Sequence, residues 1–480
     1  MATVLIAGNV HLTYPNLPRQ SQHTFLRLKA FPFGRYPLRN ILPRSGDLAA
    51  WQPTFNSHQV IHCFNQIPLT RQPWLITFEQ ALPYDQESWL TPLLTQRLAA
   101  DNCVKLIAIS DYAKLKLVQA LKNHRLQKKL LKKLDIVHPN FQIRADRAKR
   151  YRNGEPLNLI FVGNQFARKG GIVALRLAKK ANELKLPIVI HIISKLSFDS
   201  PTDHLDPSNY QPDLELLNLP NVVFHQQIPN SKVLELLAES HFQLMATLHD
   251  TYGYSVIEGF SVGTPAITTN VCALPELIHP SDNGYLLYLE LDESRQWKKW
   301  MHGSMRQTDE YWQVLDSTFN NLADQALVKL QEFFNHANSS LIYEQLSEGA
   351  LTHMKALHDA EKANQWFDQL YIDIAQKKHL WMSESVQITI AIAITLATNN
   401  RFNNPVETFR WNVSPIVPRP TISHIQTQNR DNPFPPFALD LQNGKTLANY
   451  FRIHWLGIAV GLQFPRFLVF RLRRSLISNH

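Results

Sequence analysis

The sequence predicts an α/β protein made of two Rossmann-like doubly wound lobes, with C-terminal helices and an extended tail. Three observations carry this. Short apolar runs of strand length alternate with helically spaced segments through two successive stretches, 1–143 and 157–293. A polar, basic stretch at 144–156 reads as the linker between them. From 294 to about 380 the spacing is helical throughout, and at 381–480 the family of strands and helices gives way to an extended tail.

Residues 3–7 read as the first strand, running into Gly8-Asn9, where a doubly wound sheet carries a ligand loop. The next loop, PNLPRQSQH, holds Arg19 and His23, read as solvated, with contact to an anion as the other reading. Residues 27–51, rich in Pro, Arg and Leu, read as a surface insertion. Strands follow at 59–63 and 74–77, which places Glu79 at a strand's carboxyl end. A strand at 105–110 leads through Ser110-Asp111, a helix cap, into a basic segment. Between 114 and 133 stand Lys114, Lys116, Lys122, Arg125, Lys128, Lys129, Lys132 and Lys133, with no acid. Leu115, Leu121, Leu126, Leu130 and Leu134 are interleaved, so the segment reads as a helix that meets anionic lipid, with the solvated basic face of an ordinary Rossmann helix as the other reading. It lacks the aromatics or module that nucleic acid would require, so no nucleic-acid partner is expected. Residues 135–138 close the first lobe, followed by Pro139-Asn140-Phe141.

The second lobe opens with a strand at 158–162, the loop GNQFARKGG at 163–171 and a helix through Glu183. Strands at 187–194 and 221–225 and a helix at 231–239 lead to the stretch around which the chain is organised, 244–278. There a buried strand, 241–246, breaks into a polar loop ending before Gly253. Val256, Ile257 and Phe260 return at helical spacing, Gly263 stops the helix, and a strand at 265–269 follows. Strand, loop, helix, strand puts the helix start at the carboxyl edge of a parallel sheet, where open α/β sheets bind ligands. The N–H groups of Gly253, Tyr254 and Ser255 are expected to face an anion, helped by the helix dipole. Asp250 and Glu258 flank them. An anion cradle with a carboxylate on either side suits a diphosphate between two hydroxyl-rich rings, which describes a nucleotide sugar.

This stretch resembles the donor-site signature of retaining glycosyltransferases of family 4 (glycosyl transferases group 1), whose fold is GT-B. Their pattern is E-x(7)-E, a small-residue turn and P-E-I/L-I. Here Asp250 stands at the first Glu, Glu258 at the second, Gly263-Thr264-Pro265 forms the turn, and Pro275-Glu276-Leu277-Ile278 completes it. The loop at 163–171 resembles the family's G-R-x(4)-K-G, with Gly163, Asn164 in place of Arg, and Lys169 at the Lys; Arg168 stands next to it. The resemblance implies that Lys169 neutralises donor phosphate, Glu258 holds ribose hydroxyls and Asp250 holds the hydroxyls of the donor sugar. It makes 157–293 the donor lobe, with Glu276 among the donor contacts, and 1–143 the acceptor lobe. The family often has a His near Glu79; Glu79 takes that place, binds an acceptor hydroxyl, or is a structural or solvated residue. Asn140 stands where the family's P-G-V turn has Gly, a mild exchange because Asn tolerates a left-handed backbone. The resemblance also implies retention of configuration, front-face attack and no metal or other cofactor. The acceptor is a glycan or a lipid-linked molecule, as in polysaccharide biosynthesis. The other reading is a non-catalytic scaffold or partner subunit on the same fold, motivated by Asn164, the short Asp250 and the unusual first loop.

Composition bounds these readings. At 480 residues the chain holds two or three domains. A hydrophobic content of 44% with 18% charged residues excludes a disordered chain. The net charge of +10 fits an acidic partner: nucleic acid, anionic lipid or an anionic nucleotide sugar. Cys63, Cys103 and Cys272 lie far apart without metal spacing, which suits a reducing cytosol. No basic region precedes the apolar start, so no leader is expected, and no run is long enough to span a bilayer. His353, His358 and Trp366 read as core or surface residues rather than ligands. Asn399 onward is polar and linker-like. The segment 450–477, with Trp455, Phe464, Phe467 and Phe470 among Arg466, Arg471, Arg473 and Arg474, reads as lying on a membrane or docking on the protein's own surface. The protein is thus expected in the cytoplasm, or peripheral on the inner face of the membrane.

Overall fold

The computed structural model describes residues 1–8, 14–27, 59–68, 70, 72–83 and 91–376, all within one compact unit. Two six-stranded sheets organise them. The first contains β1 (Thr3–Gly8), β2 (Thr24–Arg27), β3 (Gln59–Phe64), β4 (Trp74–Phe78), β5 (Cys103–Ala108) and β6 (Leu134–Ile136), in the order β2-β1-β3-β4-β5-β6. The second contains β7 (Leu157–Val162), β8 (Ile188–Ile193), β9 (Val222–His225), β10 (Phe242–Met245), β11 (Ala266–Thr269) and β12 (Gly284–Leu287), in the order β12-β11-β10-β7-β8-β9. Each pairing is parallel. Strands β4, β10 and β11 are buried at every residue, as strands of a parallel sheet covered on both faces must be. Two doubly wound parallel sheets in one chain are the GT-B-like architecture that the resemblance implies.

Helices α1 (Thr91–Ala99), α2 (Asp111–Ala120) and α3 (Gln127–Leu131) belong to the first lobe. The second lobe carries α4 (Phe166–Lys169), α5 (Gly171–Glu183), α6 (Gln211–Leu214), α7 (Asn230–Glu239), α8 (Tyr254–Ser261) and α9 (Leu274–Leu277). Three longer helices close the unit: α10 (Asp309–Asn335), α11 (Ser339–Leu357) and α12 (Ala360–Gln376). Helix α12 crosses back to the first sheet, burying Ala363, Phe367, Tyr371 and Ile374 against Val4, Ile6, Val60, Leu75 and Ile107. A buried histidine pins it there: the two ring nitrogens of His62 lie 2.8 Å from Tyr371 Oη and 2.8 Å from Thr77 Oγ1.

Several local expectations change. The basic segment 114–133 is not one helix: α2 ends at Ala120, Asn123 turns the chain at φ 62°, and α3 begins at Gln127. Its leucines serve the core, with Leu117, Leu121 and Leu130 buried, while Lys114, Lys122, Arg125, Lys128, Lys129 and Lys132 are exposed. Lys133 instead donates to the carbonyls of Leu98, Ala100 and Cys103. Burial lowers its ammonium pKa. The linker is also pinned, because Lys149 inserts into the second lobe and donates to Ser240 O, Leu237 O and Thr264 Oγ1. Arg19 and His23 are struts rather than solvated side chains. Arg19 donates to Asn140 Oδ1 and O, and His23 Nδ1 accepts the N–H of Ala2. Asn140 is not among the residues with positive φ; its side chain joins Arg19 to the carbonyl of Leu17. The readings of 28–51 and 381–480, with 450–477 among them, lie outside the described residues. Among the described residues, no helix is long and apolar enough to cross a membrane.

Candidate functional site

In the second sheet the chain runs from β7 outward to β8 and β9, then returns to the other side of β7 to place β10. The carboxyl ends of β7 and β10 therefore flank a topological switch point, where a crevice opens outside the sheet. The loops leaving these two strands carry Lys169 and Asp250.

Glycines shape both loops. A Cβ on Gly163 would sit 3.0–3.1 Å from the Lys169 side chain, so the bare backbone gives that lysine its path. Gly170, at φ 95°, lies against Ala246, whose backbone a Cβ would meet at 2.6 Å. This close approach lets the loops bind each other: Leu248 N–H and Thr247 Oγ1 both donate to Arg168 O, at 2.8 and 2.9 Å. The Arg168 guanidinium donates to Gln165 Oε1 and to the His249 carbonyl. It holds the loops together rather than pointing free into the crevice. Asn164 is exposed, and its carbonyl accepts Ser197 N–H at 3.0 Å.

Lys169 Nζ lies 2.8 Å from Asp250 Oδ2, and the other oxygen, Oδ1, accepts the N–H groups of Gly253 at 2.8 Å and Tyr252 at 3.2 Å. One carboxylate thus joins the lysine loop to the start of α8. Burial alone would raise the Asp250 carboxyl. The Lys169 ammonium, the Arg168 guanidinium at 4.0 Å and the Tyr252 N–H hold it well below the usual carboxylate range. The expected cradle changes accordingly, because Asp250 itself takes the Gly253 N–H. Helix geometry leaves Tyr254 and Ser255 N–H without an intrahelical acceptor, and these face the free end of α8.

Glu258, inside α8, accepts Asn230 Nδ2 at 3.0 Å from the start of α7. Burial raises its carboxyl, while Asn230, Lys169 and Arg144 oppose the rise. Lys169 is therefore within electrostatic reach of both acids.

The first lobe supplies the other wall. Thr251 Oγ1 donates to Glu79 Oε2 at 3.1 Å, Asn16 Nδ2 donates to Tyr254 Oη at 3.1 Å, and His138 Nδ1 lies 2.9 Å from Tyr252 Oη. Glu79, at the carboxyl end of β4, is thereby brought to the turn that starts α8. Burial raises its carboxyl, hydrogen bonds from Thr251 and Asn65 oppose this, and Asp250 adds to the rise.

Glu276 does not join this group. Its oxygens accept the N–H groups of Asp111 at 2.8 Å and Tyr112 at 2.6 Å, and Arg295 Nη1 at 3.0 Å. It caps α2 of the opposite lobe, so a residue expected at the donor is a fastener between lobes in this structure. Sequence reasoning missed Asn16, Asn65, Asn230 and Thr251. Asn65 had a signal, since it follows β3 directly as Glu79 follows β4.

Chemically, the crevice offers two helix N–H groups and a lysine for an anion, with carboxylates at Asp250, Glu258 and Glu79 able to accept hydroxyls. Among the described residues, no group of three or more His, Cys, Asp or Glu is placed to hold a metal ion.

Comparison with known proteins agrees in region. The family described as Glycosyl transferases group 1 matches residues 142–298. An uncharacterized 41.2 kDa protein in the cps region of Klebsiella pneumoniae is 26% identical over 136 residues, 28% of this chain and 34% of that protein. The chain thus spans about a third of the length of the curated relative it matches. Similar solved structures include a glycosyltransferase from Rickettsia africae ESF-5, with TM-score 0.47 and 12% identity over 77% of this chain and 89% of that one. Anabaena Alr3699/HepE in complex with UDP has TM-score 0.48 and 12% identity over 78% of this chain and 100% of that one. Residues 142–298, which hold Lys169, Asp250 and Glu258, form a glycosyl transferases group 1 domain.

Proposed function

We propose that the protein is a retaining, metal-independent glycosyltransferase that moves a hexose-like sugar from a nucleotide-sugar donor to a glycan or lipid-linked acceptor, in cell-surface polysaccharide synthesis. The observation that carries this reading is the chain Lys169–Asp250–Gly253 at the switch point between two lobes, with Glu258 within reach of the same lysine. Lys169 would leave Asp250 to meet the donor diphosphate, joined by Tyr254 and Ser255 N–H. Asp250, released, would accept hydroxyls of the sugar, and Glu258 those of the ribose. Charge developing on the leaving diphosphate is then met by the Lys169 ammonium, once it has turned from Asp250, and by the fixed N–H groups of the helix start; such electrostatic stabilisation is usually the largest single contribution to catalysis. The first lobe, closing through Glu79 and Asn16, would exclude water and so suppress hydrolysis.

Thermal shift against a panel of nucleotide sugars tests this reading, since binding the folded state raises the melting midpoint by mass action. At least one member raises the midpoint, and Glu258→Ala removes the response. A panel with no responding member would overturn the proposal. The exposed lysines of α2 and α3 are proposed to rest on anionic lipid at the cytoplasmic face. Flotation with liposomes containing anionic lipid recovers the protein, and liposomes of neutral lipid do not; equal recovery would remove the membrane contact.

A further inference from the structure

Glu79 comes from the first lobe, at the carboxyl end of β4, and reaches the turn that follows Asp250. Asn65 fixes it at two points, donating Nδ2–H to Oε1 at 3.0 Å and accepting the Glu79 N–H through Oδ1 at 3.1 Å. Its other oxygen takes Thr251 Oγ1–H, one residue beyond Asp250. The Glu79 carboxylate is therefore held in place against the turn that begins α8. Tyr254 lies within the field of both acids: burial raises its phenol, and Glu79 and Asp250 raise it further. Lys169 and Arg168 offset Asp250, from 2.8 and 4.0 Å, and neither forms an ion pair with Glu79. Arg168 is also bound to Gln165 and the His249 carbonyl.

An anion held by Lys169 and the start of α8 thus has two carboxylates, one from each lobe, beyond it. We propose that Glu79 sets the charge preference of the cleft, admitting a donor whose sugar is neutral and rejecting one whose sugar carries a carboxylate. The inference rests on the nucleotide-sugar reading and adds the class of sugar. A uronate bound there would bring a further negative charge up to both carboxylates, and like charges placed together disfavour the wrong partner. A neutral hexose would offer hydroxyls that both carboxylates accept.

The test is calorimetric titration of the full chain with matched pairs, UDP-glucose with UDP-glucuronate and GDP-mannose with GDP-mannuronate. For the base that binds, the neutral sugar is expected to bind at least tenfold more tightly, which is about 1.4 kcal/mol. Glu79→Gln keeps the shape and one of the two acceptor oxygens but loses the charge, and the ratio falls below threefold. Glu79→Ser, smaller and also uncharged, gives the same reading should the amide disturb folding. Equal affinities in the unaltered protein would overturn the inference while leaving the nucleotide-sugar reading intact. So would a tenfold ratio that survives both substitutions, which would make Glu79 only a contact between lobes. If no nucleotide sugar binds at all, the reading beneath it fails and the inference fails with it.

Discussion

Lys169→Met lowers kcat/KM for sugar transfer by about 10²–10³-fold, the usual cost of removing one preorganised donor from the charge that develops in a transition state. The substitution keeps the aliphatic stem that runs over Gly163 and removes only the ammonium. It also has a structural cost. Asp250 is 6% exposed, and its nearest cation after Lys169 is Arg168 at 4.0 Å, already engaged elsewhere. Breaking a buried pair leaves an uncompensated charge, which costs about 3–5 kcal/mol where burial is complete and less here, because Lys169 is 22% exposed. The two effects separate in the double variant Lys169→Met/Asp250→Asn. Its melting temperature recovers toward that of the unaltered protein, because the amide no longer needs a counter-ion, yet its transfer rate stays low. If Lys169→Met alone transfers normally once its fold is confirmed by circular dichroism, the lysine does not meet the diphosphate.

The sequence made some of this arrangement legible and left the rest hidden for definable reasons. Parallel strands buried on both faces must be nearly continuous apolar runs, so β7 and β10 could be read, and with them the loops bearing Lys169 and Asp250. That the two loops meet follows from the order of strands. The hidden features depend on what lies opposite. Glu276 sits in a motif of the second lobe, but its partners are backbone groups of α2 in the first lobe, and no local spacing encodes that contact. Asp250 stands three residues before Gly253, the spacing at which an Asp side chain turns back onto its own backbone. That local turn takes the Gly253 N–H that the helix start alone would leave for a ligand. The basic segment departs from its expectation for a third reason. Leucines at roughly helical spacing fit one long helix or two short ones, and the left-handed turn at Asn123 decides for two.

The largest change in stability is expected with pH. Burial lowers His62 and His358 from 6.5 to about 3, and His353 and His249 to about 4. Unfolded, each takes up a proton as pH falls through about 6.5; folded, each resists until about 3 or 4. The unfolded chain therefore binds more protons across this window, and stability present above pH 6.5 is lost as pH falls through it. Each imidazole contributes up to about 1.4 kcal/mol per pH unit. Asp203 works the other way, because burial raises its carboxyl to about 6 and the folded state then gains on acidification. Burial also lowers His138, His191 and His241, so among the described residues seven histidines stand against four raised carboxyls, Asp203 with Glu79, Glu258 and Glu276, and the balance is acid destabilisation. The structural reason is clearest at His358. Its Nδ1 lies 2.7 Å from the Pro139 carbonyl and so carries the proton, while Nε2 is buried without an acceptor among the described residues. Protonation would place a second N–H in that pocket, beside the rings of Tyr252 and His138 where the lobes join. The melting temperature is expected to fall by at least about 5 °C between pH 7 and pH 5. His358→Gln, which keeps a donor toward Pro139 but does not titrate, shows a shallower fall. A melting temperature that is level or rises toward pH 5 would show that these imidazoles are not held neutral by the fold.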